Sequence, residues 1–123
     1  MREIDYISAQ SVGEAAALLS DHGDRARIMA GGTDVIVQVR EGRRDIDVLI
    51  DVKEIAELAA IEYSAAAGLT LGAAAPLYLV YGDAEVAAAY PGLMDAARII
   101  GSVQIQGRAS IGGNLCNASP AAD

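Results

Sequence analysis

The stretch "MAGGTDVIV", residues 29–37, places two adjacent glycines between a short apolar run and the polar pair Thr33 and Asp34. A near repeat, "SIGGNLCNASPAAD", occupies residues 110–123. Adjacent glycines adopt positive φ at little cost, and successive amides in such a turn can point to one side and bind an anion. Thr33 and Asp34 are residue types that begin helices, whose first turn carries a partial positive charge. The stretch predicts a phosphate-binding loop, and a tight turn without a ligand is the alternative.

The two glycine pairs match neither of the common nucleotide-binding patterns. The sequence contains no GxGxxG and no GxxxxGK[ST], which excludes an ordinary Rossmann fingerprint and a Walker loop. It also shows no general acid, general base or nucleophile constellation, and we expect no catalytic residue and no metal ligands in this chain.

Composition limits the partners that the chain can have. The 123 residues include 53% hydrophobic side chains but no Phe and no Trp, which predicts a core of small and branched residues. The net charge of −8 disfavours nucleic acid, because an acidic chain repels a phosphate backbone. The single cysteine, Cys116, excludes an internal disulfide and fits a reducing cytoplasm. Since we find neither a signal peptide nor a long apolar run, we expect a cytoplasmic protein with no membrane partner.

The order of the predicted elements indicates an α+β domain. Ser11 and Glu14 have the spacing of a capping box, and Gly23 is placed to end the helix that they begin. Residues 33–40 fit a short helix or a strand equally well. The other elements predicted for the first half are strands at residues 3–8, 25–30 and 48–52 and one helical turn near residues 53–59.

The second half is predicted to begin with a hairpin over residues 61–75 that turns near Ala67 and Gly68. Two helical stretches follow and are broken at Pro91. Residues 103–115 read as a β-like, glycine-punctuated segment. Only ten residues follow Gly113, and we expect the chain to be a fragment of a longer protein.

These motifs together resemble the FAD-binding subunit or domain of the molybdenum hydroxylases. The similarity rests on "MAGGTDVIV" and "QIQGRASIGGNLCNASPAAD", and it extends over the whole chain. That family includes xanthine dehydrogenase, the medium subunit of aerobic carbon monoxide dehydrogenase and 4-hydroxybenzoyl-CoA reductase. The resemblance implies a vanillyl-alcohol-oxidase-like (PCMH-type) FAD-binding fold. It also implies one FAD-binding domain fragment, with residues 1–57 as the first α/β subdomain and residues 58–123 as the truncated beginning of the second.

The resemblance also implies which residues hold FAD. The first loop would bind the pyrophosphate and the second loop the phosphate and ribityl region. Asp123 would contact the adenosine side. The implied cofactor-binding residues are Met29, Ala30, Gly31, Gly32, Thr33, Asp34, Val35, Ile100, Gly101, Ser110, Gly112, Gly113, Asn114 and Asp123.

The chain departs from the family pattern before the second glycine pair. The family often has "QIRNRGTIGG", whereas this chain has "QIQGRASIGG", in which Gln106 and Gly107 replace an arginine and an asparagine. Arg108 is retained. The first replacement removes a fixed cation, and family members continue for well over a hundred residues past this point.

The function that the resemblance implies is electron transfer by an oxidoreductase subunit. Electrons would pass from [2Fe-2S] clusters on a small subunit to FAD and then to an external acceptor. The molybdenum cofactor would lie on a large subunit, and the fragment alone would be inactive. One alternative is a non-catalytic nucleotide-binding or subunit-interaction module left by truncation. A stand-alone flavin oxidase ranks below it, because such enzymes often attach FAD through a His or Cys and the only histidine, His22, lies outside both loops.

Four remaining side chains have simpler interpretations. His22 is predicted to lie in the last turn of the first helix, and Cys116 is predicted to be a small packed residue. Tyr78 and Tyr81 could stack on a flavin, but packing is the preferred interpretation.

Overall fold

A three-stranded parallel sheet organises the first half of the chain in the computed structural model, which describes residues 3–122. In chain order, the elements are β1 Asp5–Ser8, α1 Val12–His22, β2 Ala26–Met29, α2 Val35–Arg40 and β3 Val48–Asp51. Strand β3 is central and pairs in parallel with β1 on one side and with β2 on the other. Helix α1 connects β1 to β2, and α2 connects β2 to β3. The loops that follow the strands therefore share one edge, the carboxyl edge of the sheet.

Helix α1 begins and ends where its sequence predicts. The Ser11 hydroxyl accepts a hydrogen bond from the Glu14 amide at 3.1 Å. The Glu14 carboxylate accepts from the Gln10 amide at 2.7 Å, one residue before the expected capping-box partner. Gly23 ends the helix with φ +53°, and its amide donates to the Leu19 carbonyl. In the ambiguous segment 33–40, residues 35–40 form helix α2. The three predicted strands are confirmed with slightly shorter bounds.

The core beside the sheet consists of small and branched side chains, as the composition predicts. Its buried members lie in α1, β2, β3 and the segments next to the strands, and the fully buried Ala74 comes from the second half of the chain. This contribution joins the second half of the chain to the first. The buried members are Ala9, Ala15, Ala26, Val48, Ile50, Val52, Ile55 and Ala74.

The second half consists of an antiparallel hairpin followed by short helices. The predicted hairpin is confirmed, and Gly68 has φ +80° at the start of its second strand. Three helices, not two, occupy residues 77–99, because Asp83 caps a separate helix by accepting from the Glu85 and Val86 amides. Pro91 occupies the first turn of the next helix. The bounds are α3 Ala56–Ala59, β4 Ile61–Ser64, β5 Gly68–Leu71, α4 Leu77–Gly82, α5 Ala84–Ala89, α6 Pro91–Ile99, α7 Val103–Gln106 and α8 Ile111–Asn117.

The β-like interpretation of residues 103–115 is wrong, because this segment forms α7 and α8. Ser102 and Ser110 begin these helices, and each side chain accepts an amide hydrogen bond from the third residue after it. The one β feature is an isolated antiparallel bridge between Pro76 and Ser110. Serine capping therefore outweighs the alternation of branched residues. No helix within residues 3–122 is long and apolar enough to cross a membrane.

Candidate functional site

The first glycine loop, residues 30–34, leaves the sheet at its carboxyl edge directly after β2. Gly32 has φ +82°, a conformation that favours glycine, and its carbonyl accepts the Ile36 amide at 3.2 Å. Within residues 3–122, the amides of Gly31, Gly32, Thr33 and Asp34 donate to no protein acceptor. Four consecutive amides without a protein acceptor, located at the carboxyl ends of parallel strands, are donors that a phosphate group can use.

Asp34 occupies the position before α2 without acting as its cap. Its backbone is helical, its side chain makes no capping hydrogen bond, and the residue is exposed. The interpretation of Asp34 as a helix cap is therefore wrong. The carboxylate is left open to solvent beside the loop.

Gly31 lies against the backbone of Arg108, 77 residues later in the chain. A Cβ atom at position 31 would lie 2.3 Å from the Arg108 carbonyl oxygen, which no relaxation of a side chain could relieve. In return, the Arg108 Nε donates to the Gly31 carbonyl at 3.2 Å. Glycine is thus required at position 31 by contact between two segments of the protein.

The second glycine pair lies in the first turn of α8. Ser110 is buried and its Oγ accepts the Gly113 amide at 3.0 Å. A Cβ at Gly113 would come within 2.9 Å of that Oγ, and one at Gly112 would come within 2.5 Å of the Ala73 backbone. Both glycines are therefore also required by packing within the protein.

The structure brings the two glycine segments together. A Cβ at Gly113 would lie 3.9 Å from the Ala30 Cβ. Further along α2 and α8, the Gln38 side-chain Nε2 donates to the Asn117 Oδ1 at 2.8 Å. Met29 is buried and its carbonyl accepts the Val52 amide at 3.1 Å, which ties the start of the first loop to β3.

Two other predicted site residues lie at a separate apolar pocket. Ile100 and Asn114 both line a pocket of about 270 Å³ between α6 and α8. Gly101 follows Ile100 with φ +58° and is exposed. Val35 is half-buried at the start of α2, and Asp123 lies outside the described residues.

A charged cluster that the sequence motifs did not predict lies at the same edge of the sheet. Asp51, buried at the end of β3, accepts from the Tyr6 hydroxyl and, at 2.8 Å, from the Lys53 amide. The half-buried Lys53 ammonium donates to the Arg108 carbonyl at 2.9 Å. The position of Lys53 just after a buried parallel strand is the sequence signal that could have found it.

Two pKa values shift in this cluster. Burial of the ammonium, and then the charge of Arg108, lower the pKa of Lys53, while Asp51 acts in the opposite direction. The hydrogen bond to Asp51 is the largest cause of a raised pKa at Tyr6.

Gln106 is a buried amide whose side chain is hydrogen-bonded at both ends. Its Nε2 donates to the carbonyls of Arg98 at 2.7 Å and Ile100 at 3.2 Å, and its Oε1 accepts from the Tyr81 hydroxyl at 3.1 Å. The Arg98 guanidinium lies 5.7 Å from the centre of the Tyr81 ring. Tyr81 therefore packs against other side chains of the protein. The Gln106 side chain binds the carbonyls at the carboxyl end of α6.

The remaining side chains lie away from the first loop or are more open than expected. His22 lies in the last turn of α1, as predicted, and therefore at the opposite edge of the sheet. Tyr78 is 46% exposed. Cys116 is exposed on α8, so the prediction that it is a packed residue is wrong.

Comparison with known proteins gives one consistent family. Residues 2–123 match the family model described as the FAD binding domain in molybdopterin dehydrogenase. The xanthine dehydrogenase FAD-binding subunit of Escherichia coli O157:H7 is 32% identical over 96% of this chain and 40% of its own length. The chain thus spans about 40% of the length of this curated relative.

Solved structures agree with this assignment. A chain of carbon monoxide dehydrogenase from Hydrogenophaga pseudoflava superposes with a TM-score of 0.91 at 31% identity, covering 99% of this chain and 42% of that one. Quinoline 2-oxidoreductase from Pseudomonas putida 86 gives 0.87 at 26% identity, covering 96% and 41%. The α+β fold is therefore that of the FAD-binding subunits, and the chain belongs to the family of FAD-binding domains of molybdopterin dehydrogenases.

Proposed function

We propose that this chain receives the adenosine diphosphate portion of FAD within a molybdenum hydroxylase. The observation that supports the proposal is the run of four consecutive free amides at residues 31–34, beside the cations of Lys53 and Arg108. A diphosphate is the group that such donors and charges fit best. The net charge of −8 leaves this local arrangement as the means of attracting an anion.

The proposed roles follow the two glycine segments. Residues 30–34 would bind the pyrophosphate through their amides, with Met29 and Val35 fixing the ends of the loop. Ser110, Gly112, Gly113 and Asn114 would shape the neighbouring wall. Ile100 and Gly101 would lie further along the cofactor, and Asp123 would contact the adenosine side.

The complete protein would be the FAD-binding electron-transfer component of the enzyme. When bound, FAD would supply the redox step between [2Fe-2S] clusters and an external acceptor. We propose an iron-sulfur small subunit and a molybdenum-containing large subunit as partners. The exposed thiol of Cys116 supports a cytoplasmic location. We further propose that the subdomain boundary lies between residues 57 and 58 and that this chain alone is inactive.

The test is a fluorescence titration of FAD with the 123-residue chain, with circular dichroism to verify folding. We expect saturable binding that AMP competes more strongly than FMN, because the proposed site reads the adenosine end. Gly32→Val should abolish binding while α1 stays folded, since φ +82° and the Ile36 side chain 2.8 Å from an added Cβ exclude valine. Absence of binding by the folded chain would contradict the proposal.

A second candidate is a subunit-interaction module without a bound nucleotide. The observation in its favour is the apolar surface on the last three helices, where Ile99, Val103 and Leu115 are 66%, 76% and 75% exposed. Binding of a partner subunit without any FAD titration would favour this candidate.

A further inference from the structure

We propose that Lys53 and Arg108 are positioning residues that hold the first glycine loop in its diphosphate-binding conformation before any ligand arrives. We call the unit formed by the Lys53 ammonium, the Arg108 carbonyl and guanidinium, and the Gly31 carbonyl the Lys53–Arg108 brace. This inference rests on the proposed function for its ligand, but its structural content concerns the free protein.

The brace connects three segments that are far apart in sequence. Lys53 follows the central strand, and its amide is fixed by the buried Asp51 carboxylate. Its ammonium donates to the Arg108 carbonyl at 2.9 Å. Arg108 in turn donates through Nε to the Gly31 carbonyl at 3.2 Å. A continuous path of hydrogen bonds therefore runs from the sheet to the loop.

The choice of donor and acceptor in these hydrogen bonds determines which groups of the loop stay free to bind a ligand. Arg108 contacts the loop through the Gly31 carbonyl, so the amides of residues 31–34 remain free to donate. The path uses one of the three N–H groups of Lys53 and only the Nε of Arg108, and the rest have no acceptor within residues 3–122. The brace thus fixes the loop while keeping donors of positive charge beside it.

The Lys53 side chain is half-buried where it meets Arg108. Both burial and the neighbouring Arg108 charge oppose its protonated form and lower its pKa. Lys53 is also the only lysine in the sequence. Within residues 3–122 the ammonium makes one hydrogen bond, to the Arg108 carbonyl, and Arg108 in turn contacts Gly31, which supports a positioning role for Lys53.

The first experiment measures loop order in the ligand-free chain by ¹⁵N NMR relaxation. We expect backbone order parameters of about 0.85 for Gly31, Gly32 and Thr33 in the native chain and values below about 0.6 in Lys53→Met. Lys53→Arg should restore the order, because a guanidinium can also donate to the carbonyl. Arg108→Met gives an independent test at an exposed side chain. Arg43→Met, three residues beyond the end of α2, removes the same charge and should leave the loop ordered.

The second experiment measures affinity for ADP and for adenosine by calorimetry. Loss of a charged hydrogen-bonding group predicts about tenfold weaker ADP binding in Lys53→Met, with adenosine binding unchanged and with rescue by Lys53→Arg.

The calorimetry tests the proposed function, and the NMR relaxation tests the Lys53–Arg108 brace. A native chain that binds neither ADP nor FAD would refute the proposed function, while the relaxation data would still decide on the brace. An ordered loop in both Lys53→Met and Arg108→Met would overturn the inference. Disorder in Lys53→Arg equal to that in Lys53→Met would also overturn it, by assigning the effect to packing of the lysine stem.

Discussion

Gly31 belongs to a predicted ligand-binding loop, but packing within the protein already requires glycine at this position. Its Cα faces the Arg108 carbonyl so closely that a methyl group would lie 2.3 Å from the oxygen. The contact fixes the distance between the two glycine segments. A ligand would therefore meet a loop whose shape is already set by the chain.

At this scale we expect Gly31→Ala to destabilise the fold by about 1–3 kcal/mol, because backbone must move to admit the methyl group. Chemical denaturation measures this change. Gly13→Ala is the matched control, since a Cβ there meets only the Ser11 Oγ at 3.9 Å. That variant should gain about 0.5–1 kcal/mol from helix propensity. Equal stability of the two variants would contradict the packing role of Gly31.

The single lysine allows its titration to be measured without ambiguity. We expect the ¹³Cε resonance of Lys53 to titrate below the usual lysine pKa, because burial and Arg108 disfavour the charged form. Arg108→Met should move that pKa upward by removing one of the two causes. A native value at or above that of free lysine would contradict this prediction.

The same shift has a consequence for stability. Between the lowered pKa of folded Lys53 and its higher value in the unfolded chain, the unfolded state binds more protons. The contribution of Lys53 to the free energy of unfolding therefore rises with pH across that window. In Lys53→Met this rise should be absent, as denaturation at several alkaline pH values would show.

At the scale of elements, the second glycine pair depends on one buried hydroxyl. Ser110 begins α8 and its Oγ accepts the Gly113 amide at 3.0 Å. We expect Ser110→Ala to cost about 1–2 kcal/mol. Ser20→Ala on the exposed side of α1 is the control and should stay within about 0.5 kcal/mol of the native chain. A cost at Ser110 no larger than at Ser20 would show that the cap is dispensable.

Elements were predictable where local signals agreed and not where they competed. The capping box of α1 and the hairpin carry signals within a few residues, and both are confirmed. Over residues 103–115 the alternating branched residues favour a strand, whereas Ser102 and Ser110 favour helices, and the two serine caps prevail. Lys53 and Arg108 could not be linked from sequence, because their contact spans 55 residues and depends on the fold.

At the scale of the molecule, the last three helices expose apolar side chains on a chain that spans about 40% of its curated relative. We expect this surface to bind a hydrophobic dye, and Leu115→Lys combined with Val103→Lys to reduce the fluorescence strongly. Ala88→Lys, at an exposed position of α5, adds charge elsewhere and should leave the fluorescence unchanged. Unaltered dye binding in the double variant would place the dye elsewhere.

The strand order β1-β3-β2 also governs how the chain can be made. Neither of the first two strands pairs with the other, so no ladder can form until Val48–Asp51 has left the ribosome. The nascent chain must carry two unpaired strands and the first glycine loop for that interval, and the loop gains its Arg108 contact later still. Synthesis from the amino terminus therefore delays assembly of the loop until the second half has emerged, which makes late, cooperative folding a property of the topology itself.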